Sequence, residues 1–409
     1  MIKEKYTPVE FFIWSLTAIL YACFSIFTKD VFWSTFSLFL ITFCVAVLTM
    51  FKFGFKRFTM GDFQIRILVF ACYFFVSGLW AINANDSIER GITVIELCVC
   101  MTIFMWTFNN FRDPYNALLK TVMYGGYIVV AYSYVFVGIE KLITMTLLSG
   151  RLDSSFDNVN AISLICSFSL IISFHYLFKE KRFLFYSILN LPTIVLLSAC
   201  GSRKSLVVAL IGCFSIFILR KGMKNKKVIV LKTVAGLAIF VFILTLLSQL
   251  SIFSGLTERM TGLLALFTGG EVDHSTMLRS EMAELGFSTF RDHPFLGIGM
   301  SNSHILCNQK LGLDTYLHNN YAELLADGGI VGAILYYSIH IDIVLKIKKY
   351  GGFKSTDNLL VIILIISLLL SDFSMVSFYA KNYYFFFMIF YVYTNYLKKR
   401  HIWERTKYL

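Results

Sequence analysis

Along this chain, apolar runs of roughly twenty residues alternate with short polar, mostly basic stretches from one end to the other. A helix needs about 20 apolar residues to cross the hydrocarbon core of a bilayer. Most of these runs are apolar at nearly every position, not only at every third or fourth. They therefore predict spanning helices and not helices with one buried stripe. About twelve runs can be marked by this criterion. They start near Val9, Val31, Ile67, Ile92, Thr121, Ala161, Phe183, Leu206, Val228, Ile330, Leu359 and Tyr383. The run Leu206–Leu219 and the last one are short, so one helix more or fewer also fits. The first run, Val9–Phe27, is longer than a signal-peptide core, and no small-residue cleavage site follows it. It predicts a retained helix.

The loops set the orientation. With the N-terminus inside and the helices alternating, most of the 37 Lys and Arg residues fall in inside segments. These include Lys52, Lys56 and Arg57, then Lys179, Lys181 and Arg182, then Lys346, Lys348 and Lys349, and finally Lys398, Lys399 and Arg400. That is the positive-inside bias, and it predicts both termini on the cytoplasmic side.

Composition sharpens the picture. The chain is 57% hydrophobic and 15% charged, with mean hydropathy +0.70. A soluble domain carries about 25% charged residues. A disordered chain, a disulfide scaffold and almost any soluble enzyme are excluded. The net charge of +12 sits in short loops flanking apolar runs, which points to membrane topology and not to nucleic acid. The nine cysteines lie mostly inside apolar runs, and their spacing implies neither a disulfide framework nor a zinc site.

One stretch departs from the pattern. Ser251–Asp327 is long, polar and on the outer side by alternation, and it holds His274, His293, His304 and His318. Loops beyond about 12–15 residues tend to be functional. Leu278, Met282 and Leu285 keep helical spacing until Pro294; Leu317, Tyr321 and Leu324 repeat it after a possible cap at Asp314 and before Gly328-Gly329. Two short amphipathic helices at the outer membrane face are predicted. The expected organisation is thus residues 1–250 as nine spans, 251–327 as an extracytoplasmic catalytic loop, and 328–409 as three spans with a cytoplasmic tail. The fold class is an all-α, polytopic integral membrane protein of about twelve transmembrane helices with one long structured extracytoplasmic loop. Glu140–Asn160, with Arg151, and the turn Cys200–Lys204 are the other outer segments singled out.

Several residues in these segments could carry chemistry. Arg203 and Lys204 sit on the outer side, where positive-inside bias works against basic residues; snorkelling to headgroups is the alternative. Arg279 and Arg291 offer planar forks suited to phosphate or carboxylate, or to surface pairs with Glu281 or Glu284. His318, followed by Asn319 and Asn320 and placed on the second predicted helix, is a candidate general base. Neither HExxH, GxSxG nor a P-loop is present.

Three stretches together resemble the O-antigen polymerase and O-antigen ligase family: SACGSRKSLVVALIG, MLRSEMAELGFSTFRDHPFLGIGMSN and HNNYAELLADGGIVGAIL. A weaker fourth is GRLDSSFDNVNAISL, here without the proline that the family tends to place before its asparagine, Asn160. The resemblance covers roughly residues 150–335. It implies a multi-spanning glycosyltransferase of GT-C-like architecture in the cytoplasmic (inner) membrane. Such an enzyme joins polyprenyl-diphosphate-linked oligosaccharides, donor and acceptor, on the outer face. Arg203 and Arg279 resemble the family's motif arginines and would hold the donor diphosphate; His318 resembles its loop histidine. Arg151, Asn160, Lys204, Arg291, Asn319 and Glu323 are the expected substrate-binding residues, with Glu323 the next carboxylate to consider as base.

No metal or other cofactor is expected, since arginines can stabilise the leaving diphosphate. Membrane lipid, a chain-length regulator and a flippase are candidate partners, and nucleic acid is not. The expected product is a surface polysaccharide: O-antigen, capsule or exopolysaccharide. The alternatives are a ligase that passes the glycan to a lipid A core, and a polysaccharide transporter or flippase. A transporter predicts buried charges in mid-helix and paired halves. Here Glu96, Lys232 and Asp342, the main charges in the runs, each lie near one end.

The loop bias yields a first prediction. A reporter fused within Ser251–Asp327 should read as extracytoplasmic, and one fused after Lys399 as cytoplasmic. A cytoplasmic signal from the long loop would overturn the proposed orientation.

Overall fold

The computed structural model describes residues 6–147, 152, 158–219, 274–353 and 355–406. Every regular element among them is helical. Six described helices are long and apolar enough to cross a membrane, or seven if the bent pair α5 (Pro114–Val137) and α6 (Ile139–Leu147) forms one span. Helices cover every expected span except the ninth, near Val228, which lies outside the described residues. The expected total of about twelve is therefore not established: α3 (Asp62–Ser77), α9 (Arg203–Leu219) and α13 (Thr356–Asp372) fall short of eighteen residues.

Local chemistry accounts for the helix starts. Thr7 and Glu10 form a capping box ahead of Pro8, at the start of α1 (Pro8–Ile26). Asp30 caps α2 (Val31–Phe53), and Asp113 caps α5, with Pro114 in its first turn. Asn158 caps α7 (Val159–Glu180) by accepting the Ala161 N–H at 3.2 Å. Glu140, expected in a loop, lies in α6, which follows a 99° bend at Gly138.

The chain divides into two compact units. The first holds α1, α2, α5–α7, α8 (Phe183–Cys200), α9 (Arg203–Leu219) and most of α13 (Thr356–Asp372). Helix α7 is its centre and packs against α5, α8 and α9. Small residues let the helices approach. A Cβ on Gly126 would meet Ser169 Cβ at 2.3 Å, and one on Gly212 would meet Ile171 at 2.4 Å. At one end of this unit Asp357 accepts from Lys179 at 2.8 Å and pairs with His175 at 3.1 Å.

The second unit holds α3 (Asp62–Ser77), α4 (Ala84–Asn109), α10 (His274–Asp292), α11 (Ser303–Leu311), α12 (Asn320–Tyr350), the last turn of α13 and α14 (Lys381–Thr406). Its two ends differ chemically. At one end Asp342 binds Arg66 at 3.0 Å, Lys346 at 2.6 Å and the Tyr391 hydroxyl at 2.8 Å, and Lys346 also binds Asp62. At the other end of α3, Ser77 Oγ accepts the Met300 N–H at 3.1 Å and Tyr73 donates to the Gly328 carbonyl at 2.8 Å. The described part of the long loop thus packs at the α3–α4 end of this unit, away from the Arg66–Lys346 cluster.

The loop region differs from expectation in three ways. The second predicted helix starts at Asn320 and not after Asp314, so His318 and Leu317 precede it. The expected end at Gly328-Gly329 is present as a break: Gly329, at φ 57° and ψ −160°, interrupts the helical geometry, and the spanning part of α12 follows it. A short helix, α11, lies between the two predicted ones. The apolar stripes also face protein. Met282, Leu285, Cys307, Leu317 and Ala326 form one buried cluster. Burial against protein gains the same hydrophobic free energy that membrane contact would, and it adds close packing.

The kink leads to a second prediction. Gly329 takes a backbone conformation that only glycine adopts freely, and an added Cβ would lie 2.4 Å from the Phe295 carbonyl. Gly329→Ala should cost about 3 kcal/mol or more, from strain and overpacking together. Thermal unfolding of the detergent-solubilised protein checks this, with Gly312→Ala as the comparison, because Gly312 also has positive φ but nothing within 4 Å. Equal losses for both variants would mean that the close approach is unimportant.

Candidate functional site

The candidate residues fall in both units. In the first, α8 ends at Gly201 in the left-handed conformation and Ser202 leads directly into α9. Arg203 and Lys204 therefore occupy the first turn of α9, both half-buried. A network of buried hydroxyls sets this turn against α7. Ser205 Oγ lies 2.7 Å from Ser163 Oγ and 3.1 Å from Ser202 Oγ, and Ser167 donates to the Ser205 carbonyl at 2.7 Å. Asn160, in the first turn of α7, accepts from Ser163 through its carbonyl at 3.0 Å. The Leu152 N–H reaches the Ala199 carbonyl, near the end of α8, at 3.1 Å; Arg151 lies outside the described residues. A helix N-terminus carrying two cationic side chains is an environment suited to an anion.

A small cavity of about 80 Å³ opens at the opposite ends of α7 and α9, lined by His175, Lys179, Ile216 and Leu219 among others. It is separate from Arg203, and none of the sequence-selected residues line it.

In the second unit the site is built on a backbone clasp. The segment Pro294–Gly299 runs along the α12 kink. Ile298 and Gly299 donate to the carbonyls of Ala326 and Asp327, each at 3.0 Å, and Ile330 donates back to Pro294 at 2.9 Å. Gly297 sits so close that a Cβ would lie 2.4 Å from Asp327 backbone atoms; Gly299 faces Ala81 at 2.3 Å. The glycines of the FLGIGMSN motif and of the ADGGIVG motif are thus two sides of one contact. Asp327 closes the clasp. Its buried carboxylate accepts the N–H groups of Ser301 at 3.0 Å, Asn302 at 3.2 Å and Ser303 at 2.7 Å, which caps α11.

His318 stands just ahead of α12 in the left-handed region, at φ 55°, and is half-buried. Its neighbours hold it there. The buried Glu323 carboxylate accepts the Leu317 N–H at 2.7 Å. Asn319 Oδ1 accepts from the N–H groups of Tyr321 at 3.0 Å and Ala322 at 3.1 Å, and so caps the helix. Asn320 Oδ1 accepts from Ser377 and Phe378, tying in the α13–α14 turn. The Tyr316 ring lies 4.1 Å from the His318 ring, centroid to centroid. Desolvation and the Glu323 charge raise the Tyr316 hydroxyl above its ordinary value, while Arg279 draws it down. Arg279, exposed on α10, therefore acts on the same neighbourhood as His318.

The other candidates are accounted for as follows. Arg291 pairs with Glu284 at 2.7 Å on the exposed face of α10; such a pair contributes about 0–1 kcal/mol. His304 bridges Asp86 at 3.1 Å and Asp314 at 3.4 Å, which gives Asp314 a partner in place of its predicted capping role. Among the described residues no three His, Cys, Asp or Glu side chains converge on a point that could hold a metal ion. Sequence reasoning missed Tyr316, Tyr379 and Arg90, whose guanidinium lies 4.3 Å from the Tyr379 ring centroid. Arg90 had a usable signal, since it too is a basic residue on the expected outer side; Tyr316 and Tyr379 had none.

The sequence model of the O-antigen ligase family matches residues 185–337. That range holds Arg203, Lys204, Arg279, Arg291, His318, Asn319 and Glu323, and it contains all three of the stronger motifs. No curated protein matches the chain.

The clasp supplies a third prediction. Asp327→Asn keeps one acceptor oxygen but turns an amide N–H toward donors. It should lower stability by about 2 kcal/mol, since hydrogen bonds to charged groups are worth about 1.5–3 kcal/mol each. The unfolding midpoint in detergent measures it; an unchanged midpoint would remove Asp327 as the anchor of the loop.

Proposed function

We propose that this chain, a multi-pass membrane protein whose residues 185–337 carry the O-antigen ligase family domain, is a polymerase of polyprenyl-diphosphate-linked oligosaccharide repeat units. The family is one of glycosyltransferase-like enzymes, common to polymerases and ligases. In this reading the reaction takes place on the outer face of the cytoplasmic membrane, with both termini cytoplasmic. The observation that carries it is the grouping of His318, Tyr316 and the Arg279 charge on a braced outer segment of the second unit.

The chemistry asked of these residues is limited. The acceptor hydroxyl attacks the anomeric carbon of the donor glycan. The bond from that carbon to the diphosphate oxygen breaks, and the diphosphate leaves with the electron pair. His318 takes the hydroxyl proton, a role worth about 10²–10⁴-fold. Arg203 and Arg279 stabilise the charge developing on the leaving group, each by about 2.7–4 kcal/mol by analogy with oxyanion donors. Lys204 and Asn160, in the first turns of α9 and α7, and Arg151, in the outer segment before α7, would line the donor path. Asn319 and Glu323 act through the backbone that positions His318. Arg291, paired with Glu284, stands at the edge of the same helix.

A second reading has its own support. The matching model is described as an O-antigen ligase, which implies a lipid A core sugar as acceptor. The donor chemistry is shared, so the product distinguishes the two. Purified protein given only lipid-linked repeat units should yield a ladder of polymer; glycan transferred solely to a supplied lipid A core would establish the ligase reading.

The fourth prediction concerns the same assay. Arg203→Ala and Arg279→Ala should each reduce turnover by about 10²-fold or more in folded, inserted protein. The lysine variants should recover only part, because the planar fork is lost. His318→Ala and His318→Gln should both be inactive, since an amide cannot take the proton. Wild-type turnover should fall on acidification, because a protonated imidazole cannot take the hydroxyl proton. Near wild-type turnover by His318→Gln would mean that His318 only positions the acceptor, leaving Glu323 as the next base to test.

A further inference from the structure

Arg90 lies in the second turn of α4, at the end of the second unit where Asn83 and Ser87 bind Asn302 and Met300. Its side chain is exposed, and its guanidinium carbon stands 4.3 Å from the Tyr379 ring centroid. A guanidinium held over an aromatic ring keeps N–H donors directed outward for a planar oxyanion. The ring itself is fixed by the histidine segment. Asn320 Oδ1 accepts the N–H groups of Ser377 at 2.7 Å and Phe378 at 3.2 Å, and Tyr379 follows directly. Burial raises the Tyr379 hydroxyl, Glu323 raises it further, Arg90 draws it down and Tyr316 raises it again. Arg90, Tyr379, Glu323 and Tyr316 thus share one electrostatic neighbourhood, and Tyr316 joins it to His318 and Arg279.

We infer that Arg90 is a further substrate-contacting residue, which binds the diphosphate of a polyprenyl-linked substrate, and that Tyr379 is the positioning residue that holds its guanidinium. This rests on the proposed glycosyltransferase reading. The bilayer side expected for this end disfavours a basic residue that has no task there. An arginine retained over a ring beside the histidine segment has the chemistry that a diphosphate needs. A competing role is structural: Arg90 could serve only as counter-charge to the buried Glu323.

The test uses the full chain in nanodiscs, with glycan-free polyprenyl diphosphate as the binding probe and a lipid-linked repeat unit as substrate. Arg90→Gln should bind the probe about tenfold or more weakly, as loss of a charge-assisted contact implies, and should raise KM more than it lowers kcat. Arg90→Lys should fall between, which also covers a Gln variant that does not fold. Tyr379→Ala should weaken binding in the same direction, while Tyr379→Phe, which keeps the ring, should match wild type. Adding Glu323→Gln to Arg90→Gln should not restore binding. Restoration would make Arg90 a counter-charge and overturn the inference. So would wild-type affinity in Arg90→Gln, or a defect seen only with the glycan-bearing substrate. If wild-type protein itself does not bind the probe, the glycosyltransferase reading falls and this inference with it.

Discussion

Three backbone N–H groups, from Ser301, Asn302 and Ser303, end on the buried carboxylate of Asp327. Much of the α3–α4 end of the second unit that carries the loop depends on that convergence. A carboxylate without exposure to water has to be matched by donors. Here the donors come from a loop that would otherwise have no ladder or helix to satisfy it. The same loop then pairs with the backbone at Ala326 and Asp327, through glycines that leave room for main chain against main chain. The pairing falls at the Gly329 kink, where the carbonyls of Ala326 and Asp327 accept from the loop. One helix break therefore serves as both a hinge in the chain and a docking edge for the loop.

The bracing extends to the candidate base. His318 adopts a conformation uncommon for a residue with a Cβ. It is bounded by Leu317, whose N–H ends on Glu323, and by Asn319 and Asn320, whose side chains cap α12 and tie in the α13–α14 turn. Backbone strain held by surrounding hydrogen bonds is a usual property of functional positions. The histidine sits in a tethered turn ahead of the helix, and not on the helix, half-buried with its ring against Tyr316.

Charge follows a separate logic. At the opposite end of the second unit, Arg66 and Lys346 gather on Asp342, and Asp62 also binds Lys346. In the first unit Lys179 and His175 meet Asp357 at the α7 end remote from Arg203. The numerous basic residues of the expected inner side are partly consumed in such ion pairs. Fewer basic residues fall on the expected outer side; they include Arg203 in the first unit and Arg90 and Arg279 in the second.

Apolar run length alone was sufficient to read an all-helical, membrane-embedded chain, because the bilayer imposes a fixed thickness and forbids unsatisfied backbone within it. Motif order singled out Arg203, Arg279 and His318 as candidates, and the family match over residues 185–337 covers the same segments. The helical spacing around Met282 and Leu285 also predicted a real helix. Spacing could not tell which surface its apolar face would cover, since a buried protein cluster and a membrane select the same residues. The displacement of His318 off the helix, the extra helix α11 and the clasp at Asp327 follow from contacts between residues far apart in sequence, such as Asn83 with Asn302 and Asn320 with Ser377. Tyr316 and Tyr379 could be chosen from among 22 tyrosines only by those contacts. Local pattern determines which segments become helices and which side of a membrane their charges prefer; long-range hydrogen bonding decides how a polar loop is folded, because its backbone groups have no local partner to satisfy them.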